Sequence, residues 1–172
     1  MSEWWHEIGN TVRQEFSDLP DAAGVTRITL RLLIAAILGG MMGFEREQKG
    51  KAAGLRTHML VALGAALFIL IPQQAGVSDA DLTRVMQGLV TGVGFLGAGT
   101  ITKGRGEEDI KGLTTAAGIW LTAAIGVAAG MGREATAVLS TLIAMGILYT
   151  IPKIAWPVEN LGSSSGAGTS DK

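Results

Sequence analysis

The sequence predicts an all-α integral membrane protein with five transmembrane helices, and three observations indicate it. Five segments contain no Asp, Glu, Lys or Arg: 32–44, 57–72, 85–101, 113–131 and 135–152. With their flanks, they approach the roughly 17–25 residues that cross a bilayer as a helix. The 172 residues include 25 glycines, and membrane helices are rich in glycine because they pack through small residues. Basic residues also concentrate on one side of these segments.

Residues 1–26 are predicted to form an amphipathic interfacial helix and a linker. Charged side chains lie opposite an apolar set that recurs at spacings of mostly four. The apolar residues are Trp4, Trp5, Ile8, Val12 and Phe16. This period is typical of one apolar helical face, and adjacent Trp side chains suit a membrane interface. We therefore expect a helix on the bilayer surface; the alternative is a helix that caps the bundle.

The transmembrane domain, residues 27–156, is predicted to contain spans at 27–46, 57–72, 83–102, 113–131 and 134–153. Pro72 and Pro152 are expected to end two of them, since proline interrupts a helix interior. Arg31, near the outer end of the first span, is expected to snorkel outward rather than to pair inside the bundle. Residues 157–172 are predicted to be a flexible cytoplasmic tail, because they contain too few apolar residues to offset their ordering entropy.

The basic residues predict the orientation. Nine Lys and Arg residues follow the first, third and fifth spans, and four lie on the opposite side. The positive-inside rule then places the N-terminus outside and the C-terminus in the cytoplasm.

An internal repeat is predicted at an offset of 58 residues. Eight pairs are identical at this offset, among them Gly39/Gly97, Gly54/Gly112, Leu55/Leu113 and Thr57/Thr115. Spans one and three would run in one direction, and spans two and four in the other. The repeat is therefore parallel, unlike the inverted repeats of many transporters.

Several kinds of site are absent from the sequence. No Cys is present, which excludes disulfides and thiolate metal sites. The net charge of -1 gives no reason to expect a nucleic-acid partner. The run Gly92-Val-Gly94-Phe-Leu-Gly97 matches a dinucleotide fingerprint but lies within an apolar helix with no preceding strand. We find no serine triad, HExxH or P-loop, and so expect neither an enzyme nor a cofactor; a metal site stays open.

Small residues at helical spacing predict close helix packing, within the bundle or across a homodimer. They are Gly39, Gly43, Gly88, Gly92, Gly97, Gly99, Gly126 and Gly130. Gly88 and Gly92, away from the charged loops, are the residues we expect at a symmetric dimer contact.

A polar cluster is predicted where the first span leaves the membrane and where two later spans begin. It comprises Glu45, Arg46, Glu47, Arg56, Thr57, His58, Thr114 and Thr115. A carboxylate near the hydrocarbon boundary requires a partner, for which Arg46 and Arg56 are the candidates. The alternatives are an ordinary cytoplasmic flank and, for the threonines, hydroxyls bonded to helical carbonyls.

These motifs together resemble the MgtC/SapB family of bacterial inner-membrane proteins over residues 28–130. The resemblance rests on Arg31-Leu32, Leu38-Gly39-Gly40, Gly43-Phe44-Glu45-Arg46-Glu47, Gly54-Leu55-Arg56-Thr57-His58, Gly94-Phe95-Leu96-Gly97-Ala98-Gly99 and Gly112-Leu113-Thr114-Thr115-Ala116-Ala117. It implies a role in magnesium limitation and acid stress, and implicates Glu45, Arg46 and Arg56. It also implies regulation by contact with the membrane sector of ATP synthase.

Many members of that family continue into a cytoplasmic ACT-like domain, which we expect this short form to lack. The first functional hypothesis is a non-enzymatic regulator that acts through contacts with another membrane protein. The alternative is a small proton or cation transporter or channel.

Overall fold

The computed structural model describes residues 2–15, 17, 21–103 and 110–162. This part of the chain is helical apart from one short hairpin. The helices are α1 Ser2–Glu15, α2 Ala22–Gln48, α3 Leu55–Gln74, α4 Asp79–Ala98, α5 Leu113–Gly130 and α6 Glu134–Gly162. The strands β1 Thr102–Lys103 and β2 Ile110–Lys111 pair antiparallel between α4 and α5, with Thr102 opposite Lys111.

Four helical segments in the described ranges are long and apolar enough to cross a membrane. They are Ala22–Gln48, Leu55–Gln74, Leu113–Gly130 and Glu134–Ile151. The chain is therefore a membrane protein. Helix α4 has the same 20-residue length as α3, but Asp79, Asp81 and Arg84 lie in its first two turns and make it less apolar.

Some helix ends differ from the predicted ones. Helix α2 begins at Ala22 because the Asp21 carboxylate caps it, accepting a hydrogen bond from the Gly24 amide at 2.7 Å. The predicted ends at Pro72 and Pro152 are wrong, since α3 and α6 continue beyond them. A proline removes one amide donor, which membrane helices tolerate.

The third span was expected to continue to residue 102, and this is also wrong. Helix α4 ends at Ala98, and β1 follows. Gly112 then joins the hairpin to α5 with φ of +95°, and a methyl group there would collide with the Thr100 carbonyl. Only glycine combines this left-handed conformation with so close an approach.

Helix α3 lies between α2 and α5 at backbone contact distance. A methyl group on Gly39 would lie 2.7 Å from Cβ of Ala62, and one on Gly130 would lie 2.7 Å from the Ala66 carbonyl oxygen. One on Gly126 would overlap the Ala62 carbonyl. Gly126 meets Ala62 and Gly130, one turn later, meets Ala66, so α3 and α5 run parallel. Helix α2 runs antiparallel to α3.

The directions of α6 and α4 follow from their contacts. Arg31 lies near Glu134, and Lys49 lies near Leu148, so α6 runs parallel to α2. Helix α4 packs on α3 and α5, and its Gly97 meets Ala116 in the first turn of α5. It therefore returns the chain from the end of α3 to the start of α5.

The interior is rich in small side chains, and the outer surface is rich in large apolar ones. The main buried cluster is Ala35, Leu38, Met42, Ala62, Ala66, Ile125, Ala129, Ala137 and Ala144. In contrast, Phe95 is 81% exposed and Leu60 67% exposed. A soluble domain shows the reverse distribution, whereas a lipid-facing surface is expected to be apolar.

Helix α1 is present as predicted, and its residues 3–15 are all exposed. Its apolar stripe therefore does not cap the bundle, and its position on a bilayer surface stays a prediction. Phe16 and residues 163–172 of the predicted tail lie outside the described residues, whereas residues 157–162 continue α6.

Candidate functional site

The polar cluster forms where α2 ends, and its centre is a buried ion pair. Glu45 and Arg46 lie in the last turn of α2 and are only 6% and 3% exposed. The Arg46 guanidinium donates to both carboxylate oxygens of Glu45, through Nε and through Nη2, the latter at 2.8 Å. Both charges are thus compensated where the dielectric is low, which buried charges require.

Lys49 extends this ion pair to a second helix. Its Nζ lies 2.5 Å from Glu45 Oε1, one turn away on α2. The same ammonium donates to the backbone carbonyl of Leu148 at 2.9 Å. The cluster therefore fixes the end of α2 against α6. The sequence did not single out Lys49, although its position one turn after Glu45 is the signal that identifies it.

Glu47 caps the next helix. Its Oε2 accepts a hydrogen bond from the Leu55 amide at 2.7 Å. Gly54, the residue that precedes α3, provides no side-chain cap of its own, and a methyl group there would lie 2.7 Å from Glu47 Oε2. A carboxylate at a helix N-terminus satisfies a free amide and interacts favourably with the helix dipole.

His58 is the fully buried member of the cluster. Its Nδ1 hydrogen-bonds to the Gly54 carbonyl at 3.0 Å, one turn earlier on α3. Its Nε2 has no hydrogen-bond partner among the described residues and points towards Gly118 of α5. The imidazole thus fills the contact between α3 and α5.

Other predicted members lie apart from this centre. Arg56, Thr57 and Thr114 are exposed, whereas Thr115 is buried on α5. Of the two candidate partners for Glu45, the structure selects Arg46 and not Arg56. Successive helical residues are about 100° apart, so Arg56 cannot share the inward face of His58.

The eight glycines occupy four environments. Gly39, Gly43, Gly126 and Gly130 lie at backbone contact distance from a neighbouring helix. Gly97 makes ordinary contact with Ala116, and a methyl group on Gly99 would meet backbone atoms of its own helix. At Gly88 and Gly92 the same methyl group would have no heavy atom within 4 Å. The last two therefore face outward.

A second polar cluster, at the opposite end of the bundle, corrects the expectation for Arg31. Its guanidinium donates to the Gly130 carbonyl at 3.0 Å, lies 3.4 Å from Gln73 Oε1 and pairs with Glu134 at 3.7 Å. Arg31 thus joins four helices instead of snorkelling outward. A glycine at 132 leaves space for the guanidinium, where a methyl group would collide with it.

The described residues show no group of three or more His, Cys, Asp or Glu side chains that could hold a metal ion. In the described cluster, carboxylates are paired with cations or cap a helix amide. This arrangement fixes the relative positions of α2, α3 and α6.

Comparison with known proteins identifies the family. The MgtC family model matches residues 32–156. Protein SrpB of Synechococcus elongatus is 40% identical over 75% of this chain and 79% of its own length. YhiD of Escherichia coli (strain K12), whose name marks it as a candidate magnesium transporter, is 39% identical over 76% of this chain.

Protein MgtC of Brucella abortus is 42% identical over 66% of this chain. The chain spans 63% of the length of YhiD and 46% of this MgtC, so both relatives extend beyond the shared region. No solved structure matches the chain.

The buried ion pair predicts a large effect of Glu45→Gln. Without the carboxylate, Arg46 becomes an uncompensated buried charge, and we expect the free energy of unfolding to fall by about 3–5 kcal/mol. Denaturant titration of the purified protein in bicelles, followed by circular dichroism, measures it.

The control is Asp81→Asn, which removes an exposed ion pair with Arg84. This change should lower the free energy of unfolding by only about 0–1 kcal/mol. Equal losses for the two variants would show that the Glu45 network does not stabilise the bundle.

Proposed function

Because the chain belongs to the MgtC family, we propose that it is a non-enzymatic regulator in magnesium and acid-stress homeostasis. It acts through contacts with another protein of the bacterial inner membrane. The candidate partner that the family resemblance implies is the membrane sector of ATP synthase. The observation that carries the proposal is an apolar groove between α3 and α4 in which two outward-facing glycines leave room for a further helix to approach.

This groove has a volume of about 430 Å³ and is lined by Phe68, Val85, Gly88, Leu89, Gly92, Val93 and Leu96. Gly88 and Gly92 lie one turn apart and have open space in front of them. Because lipid solvates apolar side chains as well as protein does, small residues gain most from close backbone contact with another helix. The same face would also form a symmetric homodimer.

The described ion pairs favour regulation over transport. Glu45 is held by Arg46 and Lys49, and Arg31 is held by Gln73, Gly130 and Glu134. Charges held in this way connect helices and are not free to accompany an ion. The alternative is a small proton or cation transporter, which the name of YhiD favours.

The membrane topology that we propose has five crossings, with the N-terminus outside and the C-terminus cytoplasmic. Parallel packing of α3 and α5 supports it, since the chain must cross back between them and α4 occupies that connection. The parallel repeat has similar support. Helices α3 and α5 begin at Leu55 and Leu113, each directly after a glycine, at the 58-residue offset of the sequence.

Single cysteines test the crossing by α4, and the absence of native cysteine makes them convenient. We expect Asp79→Cys to react with an impermeant maleimide in spheroplasts. Ile110→Cys, at the other end of α4, should react only after the membrane is permeabilised. Labelling of both from the same side would mean that α4 does not cross.

Flux measurements separate the two functions. Purified protein in liposomes should move H⁺, Na⁺, K⁺ and Mg²⁺ no faster than empty liposomes, since a regulator needs no ion path. An ionophore provides the positive control. Ion movement that is lost in a folded Glu45→Gln variant would establish the transporter instead.

A bulky side chain in the groove should weaken self-association. We expect Gly88→Ile to convert dimer to monomer in native mass spectrometry from mild detergent, because the side chain separates backbones that need to touch. The matched control is Gly94→Ile, an exposed position on the same helix with no heavy atom within 4 Å. Monomer alone for the unaltered protein would rule out the dimer.

A further inference from the structure

Two polar groups inside the contact between α3 and α5 are not explained by helix packing. His58 and Thr122 are both 0% exposed. Among the described residues, neither His58 Nε2 nor Thr122 Oγ1 has a hydrogen-bond partner. Unsatisfied polar groups are especially costly inside a membrane, where bulk water is absent. Their burial at one helix contact therefore requires a reason.

The register of the two helices places these two residues at the same level of the bundle. Gly126 lies against Ala62, and Gly130 lies against Ala66. The same register places Thr122 level with His58. The imidazole reaches back along α5, so that a methyl group on Gly118 would lie 3.5 Å from His58 Nε2. Gly118 thus leaves room beside the ring, one helical turn before Thr122.

The hydrogen bond of the other ring nitrogen defines the chemistry of Nε2. His58 Nδ1 lies 3.0 Å from the Gly54 carbonyl, and a carbonyl only accepts hydrogen bonds. Nδ1 therefore carries a hydrogen. In the neutral ring Nε2 is then an acceptor with a free lone pair, directed between the helices.

Thr122 also differs from other threonines in the helices. The hydroxyls of five of them donate to the carbonyl four residues earlier: Thr11, Thr26, Thr83, Thr91 and Thr141. Thr141 is as deeply buried as Thr122, yet it is satisfied in this way. The Thr122 hydroxyl makes no such bond, and a hydroxyl can both donate and accept.

We propose that His58 and Thr122 bind one water molecule between α3 and α5, and that this water holds the neutral imidazole in the tautomer protonated at Nδ1. The water donates one O–H to Nε2 and hydrogen-bonds to Thr122 Oγ1, and Nδ1–H keeps its bond to the Gly54 carbonyl. This inference concerns one protomer and is independent of the regulatory function.

The charges around the site are those of the neighbouring helices. Helix α2 contributes Glu45 and Arg46, and α3 itself contributes the exposed Arg56. Helix α5 contains no charged residue. The charged residues of α4, namely Asp79, Asp81 and Arg84, lie near its opposite end. The nearby carboxylate, Glu45, is thus already shared with two cations.

Nitrogen-15 NMR of the full chain in lipid bilayers tests the site. The chain has only two histidines, His6 and His58, so His6→Gln leaves a single labelled imidazole. At about pH 8 we expect Nδ1 to be protonated, Nε2 to be unprotonated, and magnetisation to pass from water to Nε2.

Three threonine variants give the comparison. Thr122→Val should abolish the transfer from water to Nε2, and Thr122→Ser should retain it. Thr141→Val, which removes an equally buried but satisfied hydroxyl, should leave it unchanged. The proposal is overturned if Nε2 carries the hydrogen of the neutral ring or if no water contact is seen. Unchanged transfer in a folded Thr122→Val variant would also overturn it.

Discussion

The close approach of backbones along α3 is the contact on which the remaining architecture depends. Lipid provides no hydrophobic force that would drive apolar helices together, so they associate through van der Waals contact over short distances. Gly39 and Gly43 of α2 leave space for the backbone of α3, and Gly126 and Gly130 of α5 do the same at a second contact. With α3 placed between α2 and α5, the directions of α4 and α6 follow from the lengths of the connections.

Polar contacts then fix the two ends of this bundle. At one end Glu45, Arg46 and Lys49 join α2 to α6, and at the other end Arg31 joins α2 to α3, α5 and α6. Buried charges are weak sources of net stability but strong constraints on geometry, because an unpaired charge in lipid is far more costly than a paired one. The glycines therefore determine how near the helices lie, and the charges determine their axial positions.

Much of this architecture could be predicted from the sequence. Uncharged segments identified the helices, and the MgtC/SapB motifs identified the family, because both signals are local. The partners of Arg31 could not be predicted from the sequence, since Gln73, Gly130 and Glu134 come from three other helices. The choice of Arg46 over Arg56 required the rotation of α3 relative to α2. Helix ends were predicted less well: the prolines placed the ends of α3 and α6 too early, because membrane helices tolerate the missing amide donor.

The two clusters also differ in when they can form during synthesis. Glu45 finds Arg46 and Lys49 on its own helix, so its charge is compensated as soon as α2 leaves the ribosome. The ion-pair partner of Arg31, Glu134, follows more than half the chain later. The N-terminal half of α2 therefore lacks this ion-pair partner until α6 has been synthesised. Correct assembly is completed only when the last hairpin inserts and closes that end of the bundle.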